Sequence, residues 1–254
     1  MKNNEYGIIT DLFFSNFVES ENYIKIHNFD NPTYRMGNRL YLKSFSSVKD
    51  LEDQFNFEFK QNKQIEHFVF SYNSNKFEIL DKFLESGYEV ENSYVMKLGN
   101  FIKPNKTSED IEIKELNSDQ DWEKMLLNQE KSRLSAYPKA DFFDYLTPKI
   151  NVYRELIKKK KGKWFGAFIN KDLVADVGVF FDNNIARFQL VATNPQYRRR
   201  KVCSTLLRHV INEIKTDYED MIILADPDYH AMNLYSSLGF EKVYLETTMI
   251  KKIY

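Results

Sequence analysis

The sequence predicts an α/β (α+β) protein, in which a mixed, mostly antiparallel sheet is flanked by helices. Three observations carry that prediction. Beyond residue 110, short apolar runs of strand period alternate with longer runs of helical period. Three strand-like runs follow one another with only polar turn residues between them, which makes an antiparallel meander the economical reading. The 254 residues, 43% apolar and 15% aromatic, can bury a sizeable core as one large domain or two of ordinary size.

Taken in order, residues 111–116 (IEIKEL) alternate as a strand, and helical stretches cover about Asp119 to Leu134 and Phe142 to Lys161. The second helix closes with Lys158 to Lys161 in its last turn and with Gly162 as a left-handed cap. Strands follow at Lys163 to Asn170, Leu173 to Phe181 and Ile185 to Thr193, joined by Lys171-Asp172 and by Asp182-Asn183-Asn184. Past Pro195 the period becomes helical, with Val202, Leu206, Leu207, Val210, Ile211 and Ile214 on one stripe. Met221 to Ala225 reads as a buried strand, Tyr229 to Leu238 as a short helix, and Gly239 opens two closing strands.

The first 100 residues repeat the later part of this pattern. Arg39 to Phe45 reads as a strand, Val48 to Gln61 as a helix, His67 to Ser71 as a strand, and Phe77 to Ser86 as a helix before Gly87. KFLESGYEVENSYVMKL, ending at Leu98, lies over LYSSLGFEKVYLETTMIKK, ending at Lys252, with Gly87-Tyr88 on Gly239-Phe240. Order and text together favour an internal duplication over a chance likeness across so few residues. The polar run Gly99 to Asp110, with Pro104, reads as a linker, so domains of residues 1–104 and 105–254 are expected.

Lys and Arg (36) balance Asp and Glu (37), so no global charge drives the chain toward nucleic acid or an anionic membrane, and neither is expected as a partner. Cys203 alone makes no disulfide and too few thiolates for a metal site, and His27, His67, His209 and His230 lack metal-ligand spacing. No metal is expected. The first residues read poorly as a signal peptide and no apolar stretch nears ~20 residues, so a cytoplasmic protein is the default.

The run Asn194-Pro195-Gln196-Tyr197-Arg198-Arg199-Arg200-Lys201-Val202-Cys203-Ser204 links a strand to a helix whose first residues include four consecutive cations. A helix start presents unpaired N–H groups and partial positive charge, so cations are disfavoured there. A bound diphosphate would collect N–H groups, dipole and guanidinium groups together. Side chains snorkelling into solvent are the alternative, and charge alone weighs the two evenly.

This segment resembles the acyl-CoA-binding signature of the Gcn5-related N-acetyltransferase (GNAT) superfamily, Q/R-x-x-G-x-G/A, with Arg198 at the first position and Cys203 at the small-residue position. Lys201 departs from it at the glycine; such a lysine points its side chain away or uses it as a phosphate ligand. His230 to Val243, HAMNLYSSLGFEKV, resembles the second signature, A-x-x-L-Y-x-x-L-G-F, through Ala231, Leu234, Tyr235, Leu238, Gly239 and Phe240. ARFQLVATNPQYRRR and NPTYRMGN (Asn31 to Asn38) are similar to a subgroup with an additional N-terminal half-domain. The likeness covers residues 111–254 well and the first 100 loosely.

The resemblance implies the acyl-CoA N-acyltransferase fold, with a smaller N-terminal domain resembling its second half. That domain has Phe83 where Tyr235 sits and is expected to be structural. The implied activity is N-acyl transfer, with acetyl-CoA or another acyl-CoA as cosubstrate and a small-molecule or peptide amine as acceptor. The amine attacks the thioester directly in a ternary complex. The implied cofactor-binding residues are Val191, Ala192 and Thr193 at the strand end, Arg198, Arg199, Arg200, Lys201, Val202, Cys203 and Ser204 in the turn, and Asn233 on the later helix. Tyr235 matches the residue that protonates the departing thiolate, against a reading as a core aromatic.

Alternation puts Arg187, Gln189, Val191 and Thr193 on one face of the preceding strand, the more polar one. That strand has no carboxylate. Asp226 and His230 are the candidate bases, although Asp226 before Pro227 suits a turn. Cys203 reads as a small packing residue rather than a nucleophile, and Lys158 to Lys163 as a solvated helix end. Two further functions compete: a non-catalytic acyl-CoA binder, favoured by Lys201 and the missing strand carboxylate, and a nucleic-acid-binding regulator using the two basic runs.

Overall fold

The computed structural model describes residues 15–29, 31–32, 34–76, 78–100, 110–133, 139–182, 184–227 and 231–253. The chain forms two compact units. One comprises Met1–Met96, Leu224–Met232 and Lys242–Tyr254; the other comprises Lys97–Ile223 and Asn233–Glu241. The expected boundary near residue 105 lies outside the described residues.

The first unit contains β1 (Asn16–Glu19), β2 (Tyr23–His27), β3 (Arg39–Leu42), α1 (Val48–Phe59), β4 (His67–Asn73), α2 (Leu80–Glu85) and most of β5 (Glu89–Leu98) and of β11 (Phe240–Lys252). Its strands follow the order β1-β2-β3-β4-β11-β5. Ser47 caps α1 by accepting from the Asp50 N–H at 3.1 Å. Leu51, Phe55 and Phe59, spaced four apart, lay one helical stripe into a core with Leu40, Phe70, Phe83 and Met249. β1 and β2 were not foreseen. All four residues of β1 are exposed, so it carries no apolar alternation.

Two closing strands were expected, and one strand of 13 residues is found. The polar run Glu246-Thr247-Thr248 looks like an interruption but is buried. Glu246 meets the buried Arg39 at 3.6 Å, and Thr248 shares a hydroxyl hydrogen bond with Ser71 at 2.8 Å. Polar groups with partners let the strand continue.

The second unit contains β6 (Glu112–Glu115), α3 (Asp119–Arg133), α4 (Lys139–Lys158), β7 (Gly162–Ile169), β8 (Asp172–Asp182), β9 (Ile185–Thr193), α5 (Val202–Ile214), the first part of β10 (Asp220–Ala225) and part of α6 (Ala231–Ser237). Its strands run β10-β9-β8-β7-β6, antiparallel except for the parallel β9–β10 pair. On one face Trp122 of α3 and Tyr153 of α4 pack against Trp164, at ring distances of 5.5 and 5.4 Å. On the other lies α5, whose buried stripe holds every residue foreseen for it: Val202, Leu206, Leu207, Val210, Ile211 and Ile214.

The β7–β8 hairpin turns at Asn170 (φ 51°) and Lys171 (φ 70°), two successive left-handed residues whose twist suits a tight hairpin. The end of α4 corrects an expectation. Lys160, not Gly162, takes the left-handed conformation (φ 58°), while the Lys161 N–H reaches Leu156 C=O and the Lys160 N–H reaches Ile157 C=O, both at 2.9 Å. Gly162 serves packing instead, because a Cβ there would collide with the Phe180 ring.

The repeat legible in the text has a counterpart in geometry. Gly87 (φ 78°) and Gly239 (φ 99°) each end a short helix in a conformation that favours glycine. Four residues before each lies a helical aromatic, and one residue after each lies a second aromatic, Tyr88 just before β5 and Phe240 at the start of β11. Phe83 and Tyr88 meet edge-on at 5.0 Å, and Tyr235 and Phe240 at 6.3 Å.

Candidate functional site

The turn from β9 into α5 is built by local hydrogen bonds. Asn194 Oδ1 accepts from the Gln196 N–H at 3.1 Å and starts a single 3-10 turn, Pro195–Tyr197. The chain then alternates, with Arg198 extended (φ −63°, ψ 156°) and Arg199 and Lys201 both left-handed at φ 61°. The first helical bond of α5 runs from the Thr205 N–H to Lys201 C=O at 2.9 Å. The N–H groups of Val202, Cys203 and Ser204 precede it, so they have no carbonyl within the helix to donate to.

The four cations therefore precede the helix rather than occupying its first turn, with Lys201 as N-cap. Their side chains also differ in use. The Arg198 guanidinium donates to Ser132 C=O at 2.9 Å and to Thr193 C=O at 3.3 Å, stapling the turn to the end of α3. Arg200 lies over the Tyr197 ring at 5.1 Å. Arg199, Arg200 and Lys201 are exposed. Val202 is buried in the core and the Ser204 hydroxyl donates back to Lys201 C=O at 2.8 Å, so what these two residues offer at the turn is backbone.

Cys203 is half-buried, and desolvation pushes its thiol up to about 11, with nearby Asp176 adding to the rise and a hydrogen bond to Thr193 opposing it. That direction is opposite to what an activated nucleophile needs.

The face assignment on β9 needs correction. Gly178 pairs with Gln189 and Asp176 with Ala192, so Leu190 and Val191 together oppose Val177 in a β-bulge, with Leu190 at φ 50°. The extra residue resets the alternation. Arg187, Gln189 and Ala192 share the face of Asp176, whereas Thr193, paired with Ala175, falls on the α5 side. Arg187 is buried rather than open to substrate. β10 pairs with β9 only along Ile185–Arg187, so among the described residues the β9 edge from Phe188 to Thr193 has no strand partner on that side.

Asn233 is exposed on α6, while Tyr235 is 5% exposed with its ring against Phe240. Asp226 is exposed past the end of β10, and His230 lies outside the described residues.

One group escaped the sequence reading. Asp176, in the middle of β8, is fully buried. Its Oδ1 accepts from Gln129 Nε2 at 2.6 Å and Trp164 Nε1 at 3.1 Å, and its Oδ2 from Asn128 Nδ2 at 2.6 Å. Burial pushes the carboxyl up to about 7, against these three donors and the charge of Arg133. A lone carboxylate inside the apolar strand LVADVGVFF was the available signal, because a buried charge demands partners.

The family profile described as the Acetyltransferase (GNAT) family matches residues 122–240. No curated protein matches the sequence. Among solved structures, a functionally unknown conserved protein from Staphylococcus epidermidis superposes with a TM-score of 0.73 at 15% identity, over 97% of this chain and 98% of that one. A GCN5-related N-acetyltransferase from Kribbella flavida gives 0.65 at 10% identity, over 96% and 92%. A tandem GNAT protein from the clavulanic acid biosynthesis pathway gives 0.56 at 9% identity, over 84% and 75%. At these identities the likeness is one of fold.

Proposed function

We propose that the chain is an acyl-CoA-dependent N-acyltransferase that moves an acetyl group from acetyl-CoA to a small-molecule or peptide amine, a reading supported by the match of residues 122–240 to the Acetyltransferase (GNAT) family profile. The observation that carries this reading is Lys201. Although a lysine at the glycine position of the signature, it holds φ 61° and ψ 8°, a left-handed conformation that glycine adopts most readily. With Arg199 also left-handed, the turn keeps an alternating backbone suited to collecting an anion, ahead of the unpaired N–H groups of α5 and beside exposed cations.

In this reading the diphosphate lies at Arg199 to Ser204, and Arg198 holds the turn in shape through Ser132 and Thr193. The pantetheine arm runs along the β9 edge left without a strand partner and pairs with backbone of Val191, Ala192 and Thr193, with Asn233 as a side-chain donor. The amine attacks the thioester carbonyl, the C–S bond breaks as the Tyr235 phenol gives its proton to the departing sulfur, and the proton shed by the amine nitrogen restores the phenol through solvent. The protein acts chiefly by holding the two substrates together.

Calorimetric titration with CoA and acetyl-CoA tests binding, and thiol release in the presence of an amine library tests transfer. No binding of either ligand would sink the reading. The second reading, a non-catalytic acyl-CoA binder, is favoured by the near-complete burial of Tyr235 and predicts binding without thiol release.

A further inference from the structure

The bulge at Leu190 is held from the side. Gln129 Nε2 donates to Leu190 C=O at 2.7 Å and, with its other hydrogen, to Asp176 Oδ1 at 2.6 Å. Both donors of that amide are committed, one to the bulge and one to the carboxylate. The Gln129 side chain is fully buried, so its orientation is set by those bonds rather than by solvent. A bulge inserts a residue that regular pairing would expel, and it persists where a neighbouring group accepts or donates to the displaced backbone. Here that group is Gln129, and Asp176 fixes it.

We propose that Asp176 is a positioning residue for acyl-CoA: through Gln129 it holds the Leu190 carbonyl and keeps the bulge that leaves the Val191–Thr193 backbone free to pair with the pantetheine arm. This rests on the acyltransferase reading. It adds a role for a buried carboxylate on β8, one strand away from the β9 edge at which the arm would pair.

The hydrogen-bond pattern also says which change the network tolerates. Asp176 Oδ1 accepts from Gln129 and Trp164, so a proton on the carboxyl belongs on Oδ2, facing Asn128. The Asn128 Oδ1 has no hydrogen-bond partner among the described residues, and rotating that amide offers it to an Oδ2 proton. Asp176→Asn mimics this neutral state. It keeps an oxygen toward Gln129 and places N–H groups toward Asn128.

The test compares affinities for CoA and for adenosine 3′,5′-bisphosphate, which carries the nucleotide but no pantetheine. Asp176→Leu and Gln129→Met should each weaken CoA about tenfold, the value of one or two lost hydrogen bonds, and leave the bisphosphate unchanged. Asp176→Asn should bind both as the unmodified protein does. Equal losses for both ligands, or no loss for either, would overturn the proposal while leaving the acyltransferase reading intact. Should neither apolar variant fold while Asp176→Asn binds normally, the group serves the fold alone and the proposal also fails. An unmodified protein that binds neither ligand would instead remove the reading on which the proposal rests.

Discussion

Arg198 Nη2 donates to the Ser132 carbonyl at 2.9 Å, which ties the first residue of the signature turn to the last turn of α3. The same guanidinium reaches Thr193 C=O, so two carbonyls share one planar donor. A lysine has the charge and three donors on one nitrogen, but not the planar fork that spans these two carbonyls from separate nitrogens. Arg198→Lys should cost about 1 kcal/mol of stability in urea unfolding and weaken CoA several-fold. An unchanged urea midpoint would show that the staple contributes nothing.

Lys201 stands in a conformation that costs a side-chain-bearing residue about 1–2 kcal/mol. Lys201→Gly relieves that strain, offset in part by the greater freedom of glycine in the unfolded chain. A net gain of about 0.5–1 kcal/mol is expected. Lys201→Val, β-branched in the same conformation, should lose more than 1 kcal/mol. Denaturation midpoints in the reverse order would refute the assignment of a left-handed backbone here.

Asp176 is held near 7 in the folded protein, against about 3.9 for an unperturbed aspartate. The folded state therefore binds more protons between those values. The group's contribution to stability falls as pH rises from about 4 to about 7 and is level above. The loss amounts to a few kcal/mol at most by this linkage. Unfolding measured at pH 5 and pH 8 should show a fall for the unmodified protein that Asp176→Asn reduces. Parallel curves for the two proteins would assign the pH response to other carboxylates.

Tyr235→Phe leaves the ring that packs on Phe240 and removes the phenolic hydroxyl. With an accepted amine, the transfer rate should drop by roughly a hundredfold or more while CoA affinity holds. Full activity in the variant would return Tyr235 to a purely structural place in the core.

The periodic elements were legible because their signals are local. The α5 stripe, the three-strand meander and the helix–glycine–strand repeat each depend on residues close in sequence. What escaped depends on contacts across strands. The bulge at Leu190 is invisible in IARFQLVAT, since no glycine marks it and its cause, Gln129, lies 61 residues earlier. The single closing strand reads as two until Glu246 is placed beside Arg39. Gly162 reads as a helix cap until the Phe180 ring is placed over it. At the candidate site the turn was readable from its cations, but the direction in which Arg198 points was not.

The pairing of β4 with Glu246–Lys252 has a consequence for synthesis in the cell. The first unit is not a continuous stretch of chain, because Met249 in its core and the partner of its His67–Asn73 edge are translated long after its other strands. At about 5–20 residues per second, residues 67–73 wait roughly ten seconds or more for that partner, with a strand edge open to other chains meanwhile. Completion of this unit is thus deferred until Glu246–Lys252 have left the ribosome, and a nonsense codon anywhere before residue 246 damages a unit most of which is made far earlier.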